Sequence, residues 1–243
     1  MATINDGVGG GNGVTRLGLP RITHPSLIAC RSDFFKRTRG LPTGPPRANV
    51  PPVAAWTFIR HGQSVANAQG WFAGHRDAPL TEHGRQQAEA ARLAAQDIAF
   101  DGALCSDLCR AHDTARTILR GRDVPLTVTP ALRERTCGTW EGRDIAELET
   151  DGAIAAFTGW QTRPGDGESL RDVAARVCRF FAERPEVGST LVVSHGALMR
   201  AVIGSVDGIP EDQIGAWRPA NCELVRRDVS GARWRALADA LEG

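Results

Sequence analysis

From residue 53 onward, short apolar runs alternate with longer stretches in which apolar residues recur every three or four positions. Trp56-Thr57-Phe58-Ile59, Gly102 to Cys105 and Thr190 to Ser194 read as buried strands, because they are brief, apolar and β-branched, and Pro125 to Val128 reads as a further strand. Between them the period lengthens. Thr81-Glu82 opens a helical pattern with Ala88, Ala91, Leu93, Ala94, Ala95 and Ile98 on one face, and Asp107 to Arg120 is helical again. Glu168 to Glu183 carries Leu170, Val173, Val177, Phe180 and Phe181 at helical spacing, and a further helix runs from Ala197 to Gly204. Two late strands are predicted near Glu223 to Val229 and Ala232 to Leu237. Strands alternating with helices predict an α/β fold, a central and mostly parallel sheet with helices on both faces.

The polar residues at the strand ends carry the chemistry. Arg60-His61-Gly62 follows the first strand and His195-Gly196 follows the Leu191-Val192-Val193-Ser194 run. In an open α/β sheet, ligands bind in the crevice beyond the carboxyl ends of the strands, so both histidines should face one crevice. Ser106-Asp107-Leu108-Cys109-Arg110 and Leu132-Arg133-Glu134 also sit just past strand ends. Arg60, Arg110, His61 and His195 together make an electropositive cleft suited to a phosphate, and Glu134 adds one carboxylic acid. An unprotonated imidazole is a competent nucleophile toward phosphorus near neutral pH. His83-Gly84 shares the dipeptide but lies in a helix's first turn with no strand before it, so His83 should be solvated.

Composition narrows the function classes. A net charge of +1 over 243 residues argues against nucleic acid or an anionic membrane surface as partner. No apolar stretch approaches the roughly 18 residues needed to span a bilayer. Lys36 is the only lysine, so the surface cations are arginines. Six cysteines without a C-x-x-C pair favour free thiols in a reducing, cytoplasmic setting. Residues 1–52 stand apart: they are Gly- and Pro-rich, with seven basic against two acidic residues, whereas 53–243 carry 22 against 26. They lack the periodic apolar content of a core and the apolar segment of a secretory signal, and read as a disordered tail before a catalytic domain over 53–243.

A longer series of motifs fixes a resemblance. Arg60-His61-Gly62-Gln63-Ser64 with Asn67, Asp77-Ala78-Pro79-Leu80-Thr81 with Gly84, and Ser106-Asp107-Leu108 with Arg110-Ala111 come first. Leu132-Arg133-Glu134, Gly138-Thr139-Trp140-Glu141-Gly142, Gly167-Glu168-Ser169 and Ser194-His195-Gly196 follow in order. From Val53 to about Leu237 the chain resembles the histidine phosphatase superfamily, in its phosphoglycerate-mutase-like branch. The resemblance implies a three-layer α/β sandwich, a phosphohistidine intermediate, no metal or other cofactor, and a small-molecule phosphate ester as substrate. It makes His61 the nucleophile, and Arg60, Arg110 and His195 the phosphate clamp. Asn67 becomes a further phosphate ligand, and Glu134 the acid for the leaving group and then the base for water. Gln63 stands where the family often has Glu, a difference that bears on substrate contacts.

Other readings compete. Cys137 and Arg143 have the Cys-x5-Arg spacing of cysteine-dependent phosphatases, but Glu141 within that loop would repel a phosphate. His75 and Asp77 could join His61 around a metal, yet Arg60 would repel the ion. An inert phosphate-binding module would be expected to have lost His61 or Glu134, and both are present. Family mutases resemble the chain but carry a long insertion after the catalytic Glu; only 33 residues separate Glu134 from Glu168, which favours hydrolysis. The intervening stretch Ile154 to Pro164 should cap the pocket, with Arg163 gripping a second anionic group. Oligomeric state and physiological substrate are not specified by these patterns.

Overall fold

The structure is a computed structural model that describes residues 54–150, 157–184 and 188–242. The tail expected over 1–52 and positions 154–156 of the capping stretch lie outside the described residues. Strands β1 (Ala54–Arg60), β2 (Gly102–Ser106), β3 (Leu126–Thr129), β4 (Ser189–Ser194) and β5 (Leu224–Val229) form one sheet in the order β3-β2-β4-β1-β5. Neighbours are parallel except β1 with β5. The central strands β1 and β4 are apolar on both faces because helices cover both, whereas edge strand β5 exposes Arg226 and Asp228.

Among the described residues the helices include α1 (Val65–Gln69), α2 (Glu82–Ala94), α3 (Cys109–Leu119), α4 (Ile145–Thr150), α5 (Leu170–Ala182), α6 (Gly196–Asp207), α7 (Glu211–Ile214) and α8 (Gly231–Glu242). Successive strand residues point to opposite faces, so Phe58 and Ile59 report the two layers. Ile59 packs with Ala91 of α2 and Ala111, Ala115 and Ile118 of α3, where small side chains let both helices approach the sheet. On the other face Trp56 meets Phe181 of α5 at 4.6 Å and Trp234 of α8 at 5.4 Å between ring centroids. This is the three-layer α/β sandwich.

Local signals set the boundaries. Ser169 and Asp172 form a reciprocal capping box that starts α5, and Thr81 caps α2 by accepting from Gly84 N. The strand expected over Ala232 to Leu237 is instead part of helix α8. Gly231, Trp234, Leu237 and Ala238 are buried while Arg233, Arg235 and Asp239 are exposed, a three-to-four-residue period that a strand cannot satisfy. The α2 face is Ala88, Ala91 and Ala95; Leu93 points to solvent. Among the described residues no helix is long and apolar enough to cross a membrane.

Candidate active site

Sheet register brings the two histidines together. Arg60 of β1 is paired with Ser194 of β4, so the next residue of each strand leaves the sheet at the same level. His61 N donates to Ser194 O at 2.9 Å, and the His61 and His195 rings lie 5.1 Å apart between centroids. The chain then turns sharply against α2. A Cβ on Gly62 would lie 2.3 Å from Gly84 O, and one on Gly84 would lie 2.0 Å from Gln63 O. The two His-Gly dipeptides therefore share a reason for their glycines, a close backbone approach, but not for their histidines. His83 is exposed beside Gln87, as its lack of a preceding strand predicted.

The geometry fixes the tautomer and charge of His61. Its Nδ1 lies 2.6 Å from Gly62 O. A carbonyl oxygen only accepts, so Nδ1 carries the hydrogen and Nε2 keeps its lone pair. Burial, then the charges of Arg110 and Arg60, hold the His61 pKa well below 6.5, so the ring is neutral around pH 7. His195 is completely buried, its pKa depressed by burial first and then by Arg110 and the neighbouring histidine; among the described residues neither ring nitrogen has a partner.

The two guanidiniums are fixed through backbone carbonyls, which leaves their charge uncompensated. Arg110, in the first turn of α3, donates to Gly74 O at 2.9 Å and Arg76 O at 3.1 Å. Arg60 donates to Pro219 O at 2.7 Å, and its buried Nε has no partner among the described residues. Neither group makes an ion pair with a carboxylate among the described residues.

Glu134 enters the same cavity from the segment after β3. Its Oε1 accepts from Arg135 N at 2.9 Å, Ala197 N at 3.1 Å and Leu198 N at 3.3 Å, the last two at the amino end of α6. Its Oε2 has one long contact, 3.3 Å to Ala197 N, and is the less engaged of the two oxygens. Several motif residues act by holding this segment. Arg133 forms a bidentate pair with Asp107 at 2.6 and 2.8 Å. Glu168 accepts from Thr136 N and pairs with Arg176, which in turn donates to Ala131 O and Arg133 O. Glu141 Oε1 gathers His75 N, Thr136 Oγ1 and Cys137 N; burial pushes its carboxyl up, but these bonds outweigh it and hold the pKa low.

One cavity of about 260 Å3 is lined by Arg60, His61, Arg110, Glu134 and Asn67, with Trp71, Phe72 and Phe157 among the apolar walls. A single pocket thus joins a neutral, oriented imidazole, two uncompensated guanidiniums and a carboxyl group. Comparison with known proteins shows the family: the model of the histidine phosphatase superfamily (branch 1) matches residues 56–240. The chain belongs to that superfamily.

Relatives of this histidine phosphatase include the adenosylcobalamin/alpha-ribazole phosphatase of Escherichia coli K12, 35% identical over 168 residues, spanning 66% of this chain and 83% of that protein. The 2,3-bisphosphoglycerate-dependent phosphoglycerate mutase 2 of Gloeobacter violaceus is 36% identical over 174 residues, 67% of this chain and 80% of that one. Among solved structures, the mycobacterial glucosyl-3-phosphoglycerate phosphatase complexed with VO3 has a TM-score of 0.66 at 29% identity, covering 71% of this chain and 92% of that one. The alpha-ribazole phosphatase from Shigella flexneri has a TM-score of 0.64 at 33% identity, with 72% and 91% covered.

The remaining predicted residues of the histidine phosphatase divide. Asn67 lines the cavity, and its Oδ1 is occupied by Ser64 N and Asn221 Nδ2, so its own amide NH2 is what it can offer a ligand. Gln63 sits behind the wall, accepting from Thr81 Oγ1 at 2.8 Å, and Arg163 lies off the cavity in an ion pair with Asp172 at 3.0 Å. His75 and Asp77 turn to separate partners, Glu134 O and Cys109 N. Cys137 is buried, with its thiol pushed up to about 12 by burial, and Arg143 is exposed, so no thiolate loop forms there. Sequence reasoning missed Arg135, Arg200, Arg218 and Asn221. Arg200 had one visible signal, a lone charge inside the apolar run of α6; the others lie in irregular segments that carry no period to read.

Proposed function

We propose that this chain hydrolyses small phosphate monoesters through a phosphohistidine on His61, without a metal. The observation that carries the reading is the fixed tautomer: a neutral His61 with Nε2 unengaged, lining one cavity with Arg60, Arg110 and Glu134. Nε2 attacks phosphorus, the P–O bond to the alcohol breaks, and Glu134 delivers a proton to the departing oxygen. Arg60, Arg110, the amide NH2 of Asn67 and the single N–H of neutral His195 bind the phosphoryl oxygens, the two guanidiniums taking the place of metal charge. Glu134 then removes a proton from water, whose oxygen attacks the phosphohistidine; inorganic phosphate leaves and His61 is neutral again. The relatives named as phosphatases support hydrolysis, and those named as mutases mark the other outcome of the same intermediate. The short span between Glu134 and Glu168 favours water as acceptor. The cysteine pattern supports a cytoplasmic setting.

The test is twofold. Rapid quenching with a labelled ester should trap an acid-labile, base-stable phosphoprotein, insensitive to chelators. Given 3-phosphoglycerate and a bisphosphoglycerate primer, the protein should release inorganic phosphate faster than it forms the 2-phospho isomer; the opposite ratio would make it a mutase.

A further inference from the structure

The chain passes His61 a second time in the segment just before β5. That strand runs antiparallel to β1 with Leu224 opposite Ile59, so the residues that precede β5 meet those that follow β1. Pro219 O accepts from Arg60 Nη1 at 2.7 Å and Cys222 N donates to Arg60 O at 2.9 Å. Ala220 N donates to Glu223 Oε2 at 2.6 Å and Glu223 N to Ala220 O at 3.0 Å, which closes the segment on itself. Cys222 has a φ of 59°, and among the described residues it is the only one other than glycine in the left-handed region. A residue with a Cβ stays there when its surroundings over-determine the backbone. What this turn fixes in place is the neighbouring Asn221.

Asn221 is half-buried, and its Nδ2 donates twice, to His61 O at 2.9 Å and to Asn67 Oδ1 at 3.3 Å. Chemistry dictates the direction of both bonds. His61 O only accepts, so Asn221 presents its NH2; Ser64 N only donates, and it reaches Asn67 at 3.2 Å, so the atom of Asn67 on that side is the oxygen. Two donors thereby occupy the Asn67 oxygen, and among the described residues its Nδ2 has no acceptor. Asn67 is exposed on α1 where it lines the cavity. The terminal torsion of an asparagine is broad, so with Ser64 N as sole partner the amide would swing. The second bond, from Asn221, pins it.

We propose that Asn221 is a positioning residue: anchored on His61 O, it holds the Asn67 oxygen and so turns the Asn67 NH2 toward the phosphoryl oxygens. The inference rests on the phosphohistidine reading, in which Asn67 donates to phosphate, and adds to it a residue that is not part of the cavity wall. One amide bonds both the main chain of the nucleophile and the side chain of a phosphate ligand. The spacing between the attacking ring and that ligand is therefore set by a single group, delivered from the opposite end of the sequence.

Inhibition of p-nitrophenyl phosphate hydrolysis by inorganic phosphate reads the phosphate grip directly. Asn221→Ala should raise the Ki of phosphate about 3- to 10-fold and lower kcat/KM by a similar factor, part of what a hydrogen bond to a charged group is worth. Asn221→Leu, close in shape but without a donor, should show the same loss, and carries the comparison if the alanine variant does not fold. The deciding arm is Asn67→Ala, which has no NH2 to orient. In that background the change at Asn221 should move Ki by less than about 2-fold, because the two residues act as one unit. A loss of equal size in both backgrounds would make Asn221 a support for the fold around His61 and overturn the inference, as would an unchanged Ki in the single variants. Either result leaves the phosphatase reading intact. A wild type that hydrolyses no ester and traps no phosphohistidine would overturn that reading and the role of Asn221 with it.

Discussion

The phosphate-binding side of the cavity and its arginine-lined side are held by different means. His61, Arg60 and His195 stand at or just past the ends of β1 and β4, and Arg110 occupies the first turn after β2. Strand pairing and the Gly62–Gly84 approach fix them, so their mutual geometry is inherited from the sheet. Arg135 and Arg218 come from irregular segments and Arg200 from the second turn of α6; Arg135 stacks on Phe157 and donates to its carbonyl, Arg200 reaches Gly215 O, and Arg218 donates to Gly215 O and Trp217 O. On the proposed mechanism the reaction sits on the rigid side, and the irregular segments are where one fold can accommodate many substrates.

The rigid side should show the largest effect. If the proposed mechanism holds, His61→Ala removes the atom that bonds to phosphorus, and Cys137, held as a neutral thiol by burial, does not replace it. Loss of a covalent nucleophile costs on the order of 10⁶-fold in kcat, so both turnover and phosphoprotein trapping should disappear in a variant whose circular dichroism is unchanged. A residual rate within 10²-fold of wild type, on the scale of acid–base assistance alone, would place the chemistry elsewhere.

Glu134→Gln tests the junction between the two sides. An alkyl phosphate leaves as a strongly basic alkoxide and needs a proton in the transition state, whereas p-nitrophenolate leaves unaided. General acid catalysis is worth about 10²- to 10⁴-fold, and that loss should appear with the alkyl ester and far less with the nitrophenyl one. Single-turnover formation of the phosphohistidine is the rate to compare, because Glu134 also serves the hydrolytic step shared by both esters. Equal losses would reduce Glu134 to its structural bonds with Arg135 N and the α6 amides.

Burial of the two histidines also links the rigid side to stability. Both are neutral in the fold, with pKa values depressed below the ordinary 6.5. Unfolded chains bind protons as pH falls through about 6.5 while the native state does not, so stability must decline with acid from that point down to the folded-state pKa values. The slope is at most about 1.4 kcal/mol per pH unit for each histidine. Asp107 and Asp172, whose pKa values are lowered, add their own loss only at more acid pH. Thermal midpoints between pH 7.5 and 5 should fall, and His195→Gln should flatten the decline; a flat wild-type profile would mean that these rings are solvated.

How much of this was legible follows the same division. Periodicity located the sheet strands and the long helices to within a few residues; for the central strands β1, β2 and β4 this is because burial on both faces leaves apolar runs, whereas β3 and β5 are partly exposed edges. It failed for α8, where Trp234 and Leu237 sit in a short segment between arginines and alanines that fits either period. His61, Arg60, Arg110, His195 and Glu134 all reach the cavity or its immediate backing because each follows a strand that could be recognised. Arg135 and Arg218 had no such marker. Their place depends on how irregular backbone folds back over Phe157, and that is set by tertiary contacts distant in sequence.

Arg163 supplies the smallest expected effect and the sharpest limit on what belongs to the arginine-lined side. Sequence placed it as the grip for a second anion; the structure ties it to Asp172, in the first turn of α5, with its side chain 62% exposed. An exposed ion pair of this kind contributes about 0–1 kcal/mol, so Arg163→Ala should shift the thermal midpoint slightly. It should also leave kcat/KM for phosphate esters as it was, because the residue is absent from the cavity wall. The informative quantity is kcat/KM, measured beside the thermal midpoint. If Arg163→Ala lowers it about 10-fold or more, the scale of one charge-assisted hydrogen bond, while the midpoint barely moves, the capping stretch closes over the ligand far enough to bring Arg163 inside, and the residue regains the role that the sequence suggested.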